Sequence, residues 1–350
     1  MRVILTTPYD LAVPGGVNRH TLGLFHALSR RKVDVRLLGP CSLEVPSDDP
    51  RIVHLGSIRV RSLNGARSRV TLDLGLGRAV RALMTSFRPT IVHLQEPFLP
   101  TLNAFVLAHA GTARRVGTFH TYSESSRGYL WTWPWCQWIN RQLDARIAVS
   151  QAAKTFASRY HKMEMTVIAH GCDAVPEPER RPPGLPSSPV RLLFIGRADE
   201  PRKGFGTLLA AVALLDQRKP GAFVLQSIGR GTVRGEVSDA AIAVALTQAD
   251  ICVVPSLGGE SFGLVALEAL AHGVPVVASR IAGYAEWLAD IPAAVLVEPG
   301  DAAGMAEAIC SLAQPDCHSA AQEKAQAAAE NYSWDRCVEE TLCLYRGGEA

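Results

Sequence analysis

Short, nearly continuous apolar runs alternate with segments of helical period along most of the chain. That alternation limits the fold more than any other feature. VILTT (3–7), VDVRLLG (33–39), IVHLGS (52–57), IVHLQE (91–96), VGTFHT (116–121), RIAVS (146–150) and TVIAHG (166–171) are strand candidates. Between the first two, Val17, Thr21, Leu24, Phe25 and Leu28 fall on one helical face. Strands apolar on both sides and joined by helices predict a parallel sheet covered on both faces.

The texture changes at Ala174. AVPEPERRPPGLPSSP (174–189) is rich in Pro, Ser and charge and reads as a linker. Beyond it the alternation restarts with RLLFIGR, a helix from about Gly204 to Arg218, FVLQSIG, a helix near 239–248, ICVVPS, PVVAS and AAVLVEP. The last segment, SWDRCVEETLCLYR, is one more amphipathic helix. The chain therefore divides into an α/β domain over 1–173, the linker 174–189, a second α/β domain over 190–332, and a final helix over 333–350. The 350 residues suit two domains, and 47% hydrophobic with 20% charged residues suits sizeable cores.

Composition also narrows the setting. The opening MRVILTTPYD is too short for a secretory core, and no run approaches a membrane span. The eight cysteines show no CxxC pair and no Cys/His ligand spacing, so we expect reduced core thiols in a cytosolic protein. Charge is uneven. Residues 1–175 hold 22 Lys and Arg against 11 Asp and Glu, a net +11, and the remainder holds 14 against 22, a net −8. A basic first half suits an anionic partner, although a solvated face whose charge has drifted gives the same count.

The most informative stretch is GGESFGLVALEA (258–269), between ICVVPS and PVVAS. In an open α/β sheet, ligands bind beyond the carboxyl ends of the strands. The amides of Gly263, Leu264 and Val265 then open a helix and form an anion site. Glu260 and Glu268 would repel a phosphate there, so they suit paired hydroxyls on either side of it, one set on a sugar and one on a ribose. A surface helix glutamate and an ordinary loop acid are the plain alternatives. GRADEPRKG (196–204) also follows a strand, and Arg197 and Lys203 supply a planar fork and a point charge for phosphate oxygens. A diphosphate leaving group needs such cations as charge develops on it. The chain contains no Asp-x-Asp pair to hold a metal, only Asp48-Asp49 before Pro50, so the two cations are assigned that work. In the first domain, PYDLAVPGGVNRH (8–20) ends a strand with Gly15-Gly16, where backbone can approach a ligand or simply turn. His120 ends the strand candidate VGTFHT and is either structural or turned to a ligand.

Taken together, PGGV, TFHT, GRADEPRKG, ESFGLVALE and the closing SWDR helix, in that order, resemble retaining GT-B glycosyltransferases of family 4. PYDLAVPGGVNRH and DEPRKG…GGESFG are most similar to the bacterial phosphatidyl-myo-inositol mannosyltransferases. The resemblance covers nearly the whole chain. It implies two Rossmann-like domains with a nucleotide-sugar site in the cleft between them, and a last helix crossing back to the first domain. It implies hexose transfer with retention, from a GDP- or UDP-linked donor, without a metal or other cofactor. The catalytic set it implies is His120, Arg197, Lys203 and Glu260. Glu260 would meet the sugar, Glu268 the ribose and Gly15-Gly16 the phosphates, while Val237 and Asp239 fall where the base is held. On the acceptor side it implies Tyr9, His20 and Arg69, with Arg69 at an inositol phosphate. Arg67, Arg69, Arg78 and Arg81 would turn to an anionic membrane on its cytoplasmic face. GYLWTWPWCQWINRQ (128–142), with four tryptophans, is either a buried aromatic cluster or part of a lipid interface.

The chain also departs from that pattern. Thr232 alone bridges FVLQSIGRG and VRGEV, where the family has a further helix, so a sheet face is either uncovered or filled by another segment. Ile242 replaces a lysine that helps read guanine, Ala12 replaces an aspartate, and HGCD (170–173) replaces an Asn-Gly turn. Three other readings remain open: the same chemistry on a soluble acceptor, a glycosidase using the glutamate pair, and a nucleotide-binding protein that transfers nothing. Nucleic acid is not an expected partner.

Overall fold

A computed structural model describes residues 1–13, 15–42, 49–63, 66–124, 126–176 and 184–348. Pro14, Asp48, most of the Pro-rich stretch and the side chain of Arg67 lie outside the described residues. The chain separates into two compact units, Met1–Gly171 with Trp334–Ala350, and Cys172–Ser333.

The first unit is built on strands β1 (Arg2–Thr6), β2 (Asp34–Gly39), β3 (Ile52–His54), β4 (Ile58–Leu63), β5 (Ala66–Thr71), β6 (Ile91–Gln95), β7 (Arg114–Phe119), β8 (Ala145–Ala148) and β9 (Thr166–Val167). Seven of them form one sheet in the order β3-β2-β1-β6-β7-β8-β9, and each neighbouring pair is parallel. Alternate residues feed two cores, as a period of two requires. Val3, Leu5, Ile91 and Ile147 join the helix Gly16–Arg30 and the C-terminal helix Trp334–Tyr345 on one face. Ile4, Val92, Leu94 and Ala148 join the helices Gly77–Phe87, Leu102–Ala108, Trp133–Gln142 and Gln151–Tyr160 on the other. The sheet is thus covered on both faces, which is why its strands read as unbroken apolar runs.

Thr21, Leu24, Phe25 and Leu28 are buried on the first helix as their spacing predicts, and Asn18 and His20 extend the face. The C-terminal helix packs through Trp334. A Cβ on Gly23 would stand 2.0 Å from the Trp334 ring, and one on Gly171 would stand 2.4 Å away. Two glycines therefore make room for one indole.

One feature was not anticipated, and a second removes one of two open readings. β4 and β5 form a separate antiparallel hairpin, although IRVR alternates with a period of two. The tryptophan segment does not form a buried aromatic cluster. It folds as two short helices, Arg127–Trp131 and Trp133–Gln142, and Trp131, Trp133 and Trp138 are 84%, 48% and 46% exposed. Trp133 and Trp135, two residues apart, turn to opposite sides of one helix, so one core-facing stripe cannot take all four. Trp135 alone turns inward and donates to the Phe98 carbonyl at 3.0 Å.

The second unit carries β10 (Val190–Ile195), β11 (Phe223–Ile228), β12 (Ile251–Val254), β13 (Val276–Ser279) and β14 (Ala294–Val297). They form a parallel sheet in the order β11-β10-β12-β13-β14. After β11 a tight turn, closed by Gly229 N–H donating to Gly235 O at 2.7 Å, leads directly to the helix Asp239–Gln248. β11 stands at the edge of this sheet, with Val224 exposed on it and Val233 exposed in the turn.

Candidate functional site

In the second unit, the site is assembled by two loops at the carboxyl ends of β10 and β12. Gly204, at φ +67°, lets the first loop sit on the second: a Cβ there would stand 1.8 Å from the Pro255 carbonyl oxygen. Leu257 N–H donates to Arg202 O at 2.7 Å and fixes that contact. Lys203 and the GGESFG loop are thereby placed together. Lys203 Nζ lies 2.8 Å from Glu260 Oε1. Arg202 reaches the same oxygen at 2.5 Å and Glu200 at 2.9 Å, and Arg197 reaches Glu200 at 2.8 Å. Three cations and two carboxylates thus form one half-buried network. Burial works against the Glu260 charge, but Lys203 and Arg202 outweigh it, and its pKa falls below the ordinary carboxylate value.

The helix Leu264–Ala271 starts at Gly263 in the left-handed region, φ +94°, with no side-chain cap on its amides. Substitution of Gly263 is strained twice over, because a Cβ would also stand 2.4 Å from the Tyr284 ring. Tyr284 bonds Ser256 at 3.0 Å, and its phenol is pushed up by burial and then by the Glu260 charge. Glu268 lies within this helix. Its charge adds to burial in raising the Cys252 thiol on β12 to about 12. Val237 and Asp239 flank Ser238, which caps the helix Asp239–Gln248 by accepting from Ala241 N–H at 3.3 Å. Chemically, the cluster offers cations and free helix amides to phosphate oxygens, and a carboxylate to hydroxyls.

In the first unit, the loop after β1 is organised by Asn18. Its amide donates to Asp10 O at 2.7 Å and Val13 O at 3.1 Å, and its oxygen accepts from Thr7 at 2.9 Å. Gly15 is extended at φ −174° with open space around it, so nothing among the described residues demands glycine there. Gly16 opens the helix. Tyr9 and Arg69 are brought together, since Tyr9 bridges Val70. Arg69 Nε pairs with the fully buried Asp10 at 2.9 Å. Arg78 and Arg81 are exposed on the helix Gly77–Phe87.

His20 and His120 lie together in a buried imidazole cluster. His20 Nδ1 is 2.9 Å from His170 Nδ1, and the His20 and His120 ring centroids are 4.9 Å apart. Burial lowers the pKa of His20 to about 4, and burial with the charge of His20 lowers His93 to about 3. His120 and His170 are lowered by burial too. The four imidazoles are therefore neutral at pH 7. Glu96, at φ +46°, accepts the His120 backbone N–H at 2.8 Å. Glu200, Arg202, Tyr284, Asp10, Glu96 and His170 escaped the sequence reading. Arg202 was recoverable, standing next to Lys203; the others are defined by contacts between distant segments.

Comparison with known proteins identifies the family and the fold. The family model described as Glycosyltransferase Family 4 matches residues 14–220, and that of Glycosyl transferases group 1 matches residues 189–315. The chain is 32% identical to the phosphatidyl-myo-inositol mannosyltransferase of Mycobacterium leprae, over 99% of this chain and 96% of that protein. Among solved structures, sucrose-phosphate synthase from Thermosynechococcus elongatus superposes with a TM-score of 0.76 at 21% identity, covering 99% of this chain and 98% of that one. The Anabaena protein HepE in complex with UDP-glucose superposes with a TM-score of 0.73 at 16% identity, covering 99% and 100%. These structural likenesses establish the fold, which is GT-B.

Proposed function

The chain belongs to glycosyltransferase family 4, and on that premise we propose that it is a retaining, metal-independent hexosyltransferase. It moves a mannose- or glucose-type sugar from a GDP- or UDP-linked donor to a hydroxyl of a phosphatidylinositol-like membrane lipid. The observation that carries this reading is the network of Lys203, Arg202 and Glu260 three residues before the uncapped helix start at Gly263. A diphosphate takes over Lys203 and Arg197 from their carboxylates, and Glu260 is released to a sugar hydroxyl. Charge grows on the diphosphate as the glycosidic bond breaks, and these fixed cations stabilise it without a metal. The departing phosphate accepts the acceptor's proton on the same face, so no side-chain base is needed. Catalysis is then positioning and charge stabilisation.

The acceptor assignment is supported by the relatives whose name specifies phosphatidyl-myo-inositol, and by exposed Arg69, Arg78 and Arg81 on a basic unit. No helix among the described residues is long and apolar enough to cross a membrane. On this reading it is a cytoplasmic protein that docks peripherally on the inner face of the membrane. The test is transfer from labelled GDP-mannose and UDP-glucose to phosphatidylinositol vesicles, with and without EDTA. Product that survives EDTA and retains the donor's anomeric configuration is expected. Inversion, loss of activity in EDTA, or transfer to soluble sugars alone would overturn the corresponding part.

A further inference from the structure

A hydrogen-bonded chain runs from the C-terminal helix to His120. The Tyr345 hydroxyl lies 2.6 Å from His93 Nδ1. His93 Nε2 lies 2.6 Å from Thr118 Oγ1 and 3.4 Å from Gln95 Nε2. Gln95 Oε1 lies 2.6 Å from His120 Nε2. His120 Nδ1 is buried, with no hydrogen-bond partner among the described residues. His93, Gln95 and Thr118 are almost fully buried, as is His120, so water does not rescue a mismatched donor or acceptor.

The polarity of this chain has two self-consistent solutions. In one, His93 donates from Nδ1 to Tyr345 and accepts at Nε2 from Thr118 and the Gln95 amide. Gln95 then turns its oxygen to His120, which carries its proton on Nε2 and a bare lone pair on Nδ1. In the other, every donor and acceptor is reversed, and His120 carries a buried Nδ1–H with no acceptor. A buried N–H left without a partner is the rarer and costlier orphan. The short contact to the Gln95 oxygen and the longer one to its nitrogen match the first solution.

We propose that Gln95, itself oriented by His93 and Tyr345, is a positioning residue that fixes His120 in the Nε2–H tautomer. His120 thereby keeps the Nδ1 lone pair for a hydroxyl of the substrate. The proposal rests on the glycosyltransferase reading for its substrate, but not for its tautomer. Its consequence is directional: His120 accepts a hydrogen bond and offers no proton from Nδ1. It also makes the closing helix part of the site's chemistry, through one hydroxyl on Tyr345.

The test is a long-range proton–nitrogen spectrum of the full chain labelled at histidine, with His120 assigned from the signal lost in His120→Asn. The wild type is expected to show Nε2 protonated and Nδ1 bare. Gln95→Met removes both contacts, and the His120 signal should move toward a tautomer mixture while kcat falls roughly tenfold, the worth of one hydrogen bond. Gln95→Glu keeps an acceptor opposite Nε2 and should keep the His120 proton there, while the amide donor to His93 is lost. Tyr345→Phe should disturb His93 first and His120 less. A proton on Nδ1 in the wild type, an unchanged tautomer in Gln95→Met, or a changed tautomer with unchanged kcat overturns the proposal. A wild type with the expected tautomer but no sugar transfer instead removes the function proposed above.

Discussion

The Lys203 ammonium lies 2.8 Å from a Glu260 carboxylate oxygen that Arg202 also contacts. All three side chains are more than two-thirds buried. Removing either sign from such a network leaves a poorly solvated charge behind. Lys203→Ala should lower kcat/KM for the nucleotide sugar at least a hundredfold, about 3 kcal/mol of transition-state stabilisation. It should also weaken nucleoside diphosphate binding measured by calorimetry. Glu260→Gln should cut kcat as strongly yet leave diphosphate binding intact or tighter, because it frees Lys203 and Arg202. Equal loss of diphosphate binding in both variants would refute the division of labour between cation and carboxylate.

The two loops meet only because Gly204 has no side chain. At φ +67°, with the Pro255 carbonyl oxygen 1.8 Å from where a Cβ would stand, Gly204→Ala must shift backbone. The methyl cannot be absorbed by a flexible side chain, since its neighbour is a carbonyl. We expect donor KM to rise at least tenfold while circular dichroism stays near that of the wild type. Gly206→Ala, two residues on, is the control: it has open space around it and lies in a helix, where alanine is favoured. A Gly204→Ala protein with normal donor KM would show that the loop contact is dispensable.

The imidazole cluster makes the first unit acid-sensitive. Unfolded, each histidine takes up a proton near pH 6.5. Folded, His20 resists until about pH 4 and His93 until about pH 3. Within that window the unfolded chain binds more protons, so stability is intact above pH 6.5 and is lost as pH falls through it. His20 alone accounts for about 3 kcal/mol, as an order of magnitude. Thermal melts between pH 7 and pH 4.5 should show a steep fall in Tm that His20→Gln flattens. A wild-type Tm unchanged over that range would contradict neutral burial of the cluster.

Much of the fold was legible because burial on both faces leaves a mark that needs no partner: β6 reads IVHLQ, and all five residues are buried. The helix Asp239–Gln248 lies where the sequence led us to expect one near 239–248. The β4–β5 hairpin was less visible, since its arginines read first as a charged surface. Lys203 and Glu260 stood out as candidates because each lies in a loop that follows an apolar run. Gln95 did not. Nothing local distinguishes it from a strand-end polar residue, and its place between His93 and His120 depends on the pairing of β6 with β7. Asp10 likewise acquires meaning only once β5 brings Arg69 to it.

The exposed tryptophans supply the last prediction. Leu130, Trp131, Trp133 and Trp138 are all exposed within nine residues, and no Asp or Glu occurs between Glu124 and Asp144. Indoles favour the boundary between headgroup and acyl chain, and a segment without carboxylates is not repelled by anionic lipid. If the first unit docks on the membrane through this segment, two contributions separate by salt. Binding carried by Arg69, Arg78 and Arg81 weakens as ionic strength rises, whereas insertion of indoles does not. Co-sedimentation with vesicles containing phosphatidylinositol should fall roughly tenfold for each of Trp131→Ser and Trp133→Ser, at low and high salt alike. Trp135→Phe, whose indole faces inward, tests folding rather than docking and should leave binding unchanged. Binding that is abolished by salt and indifferent to Trp131 and Trp133 would assign the membrane contact to the arginines alone.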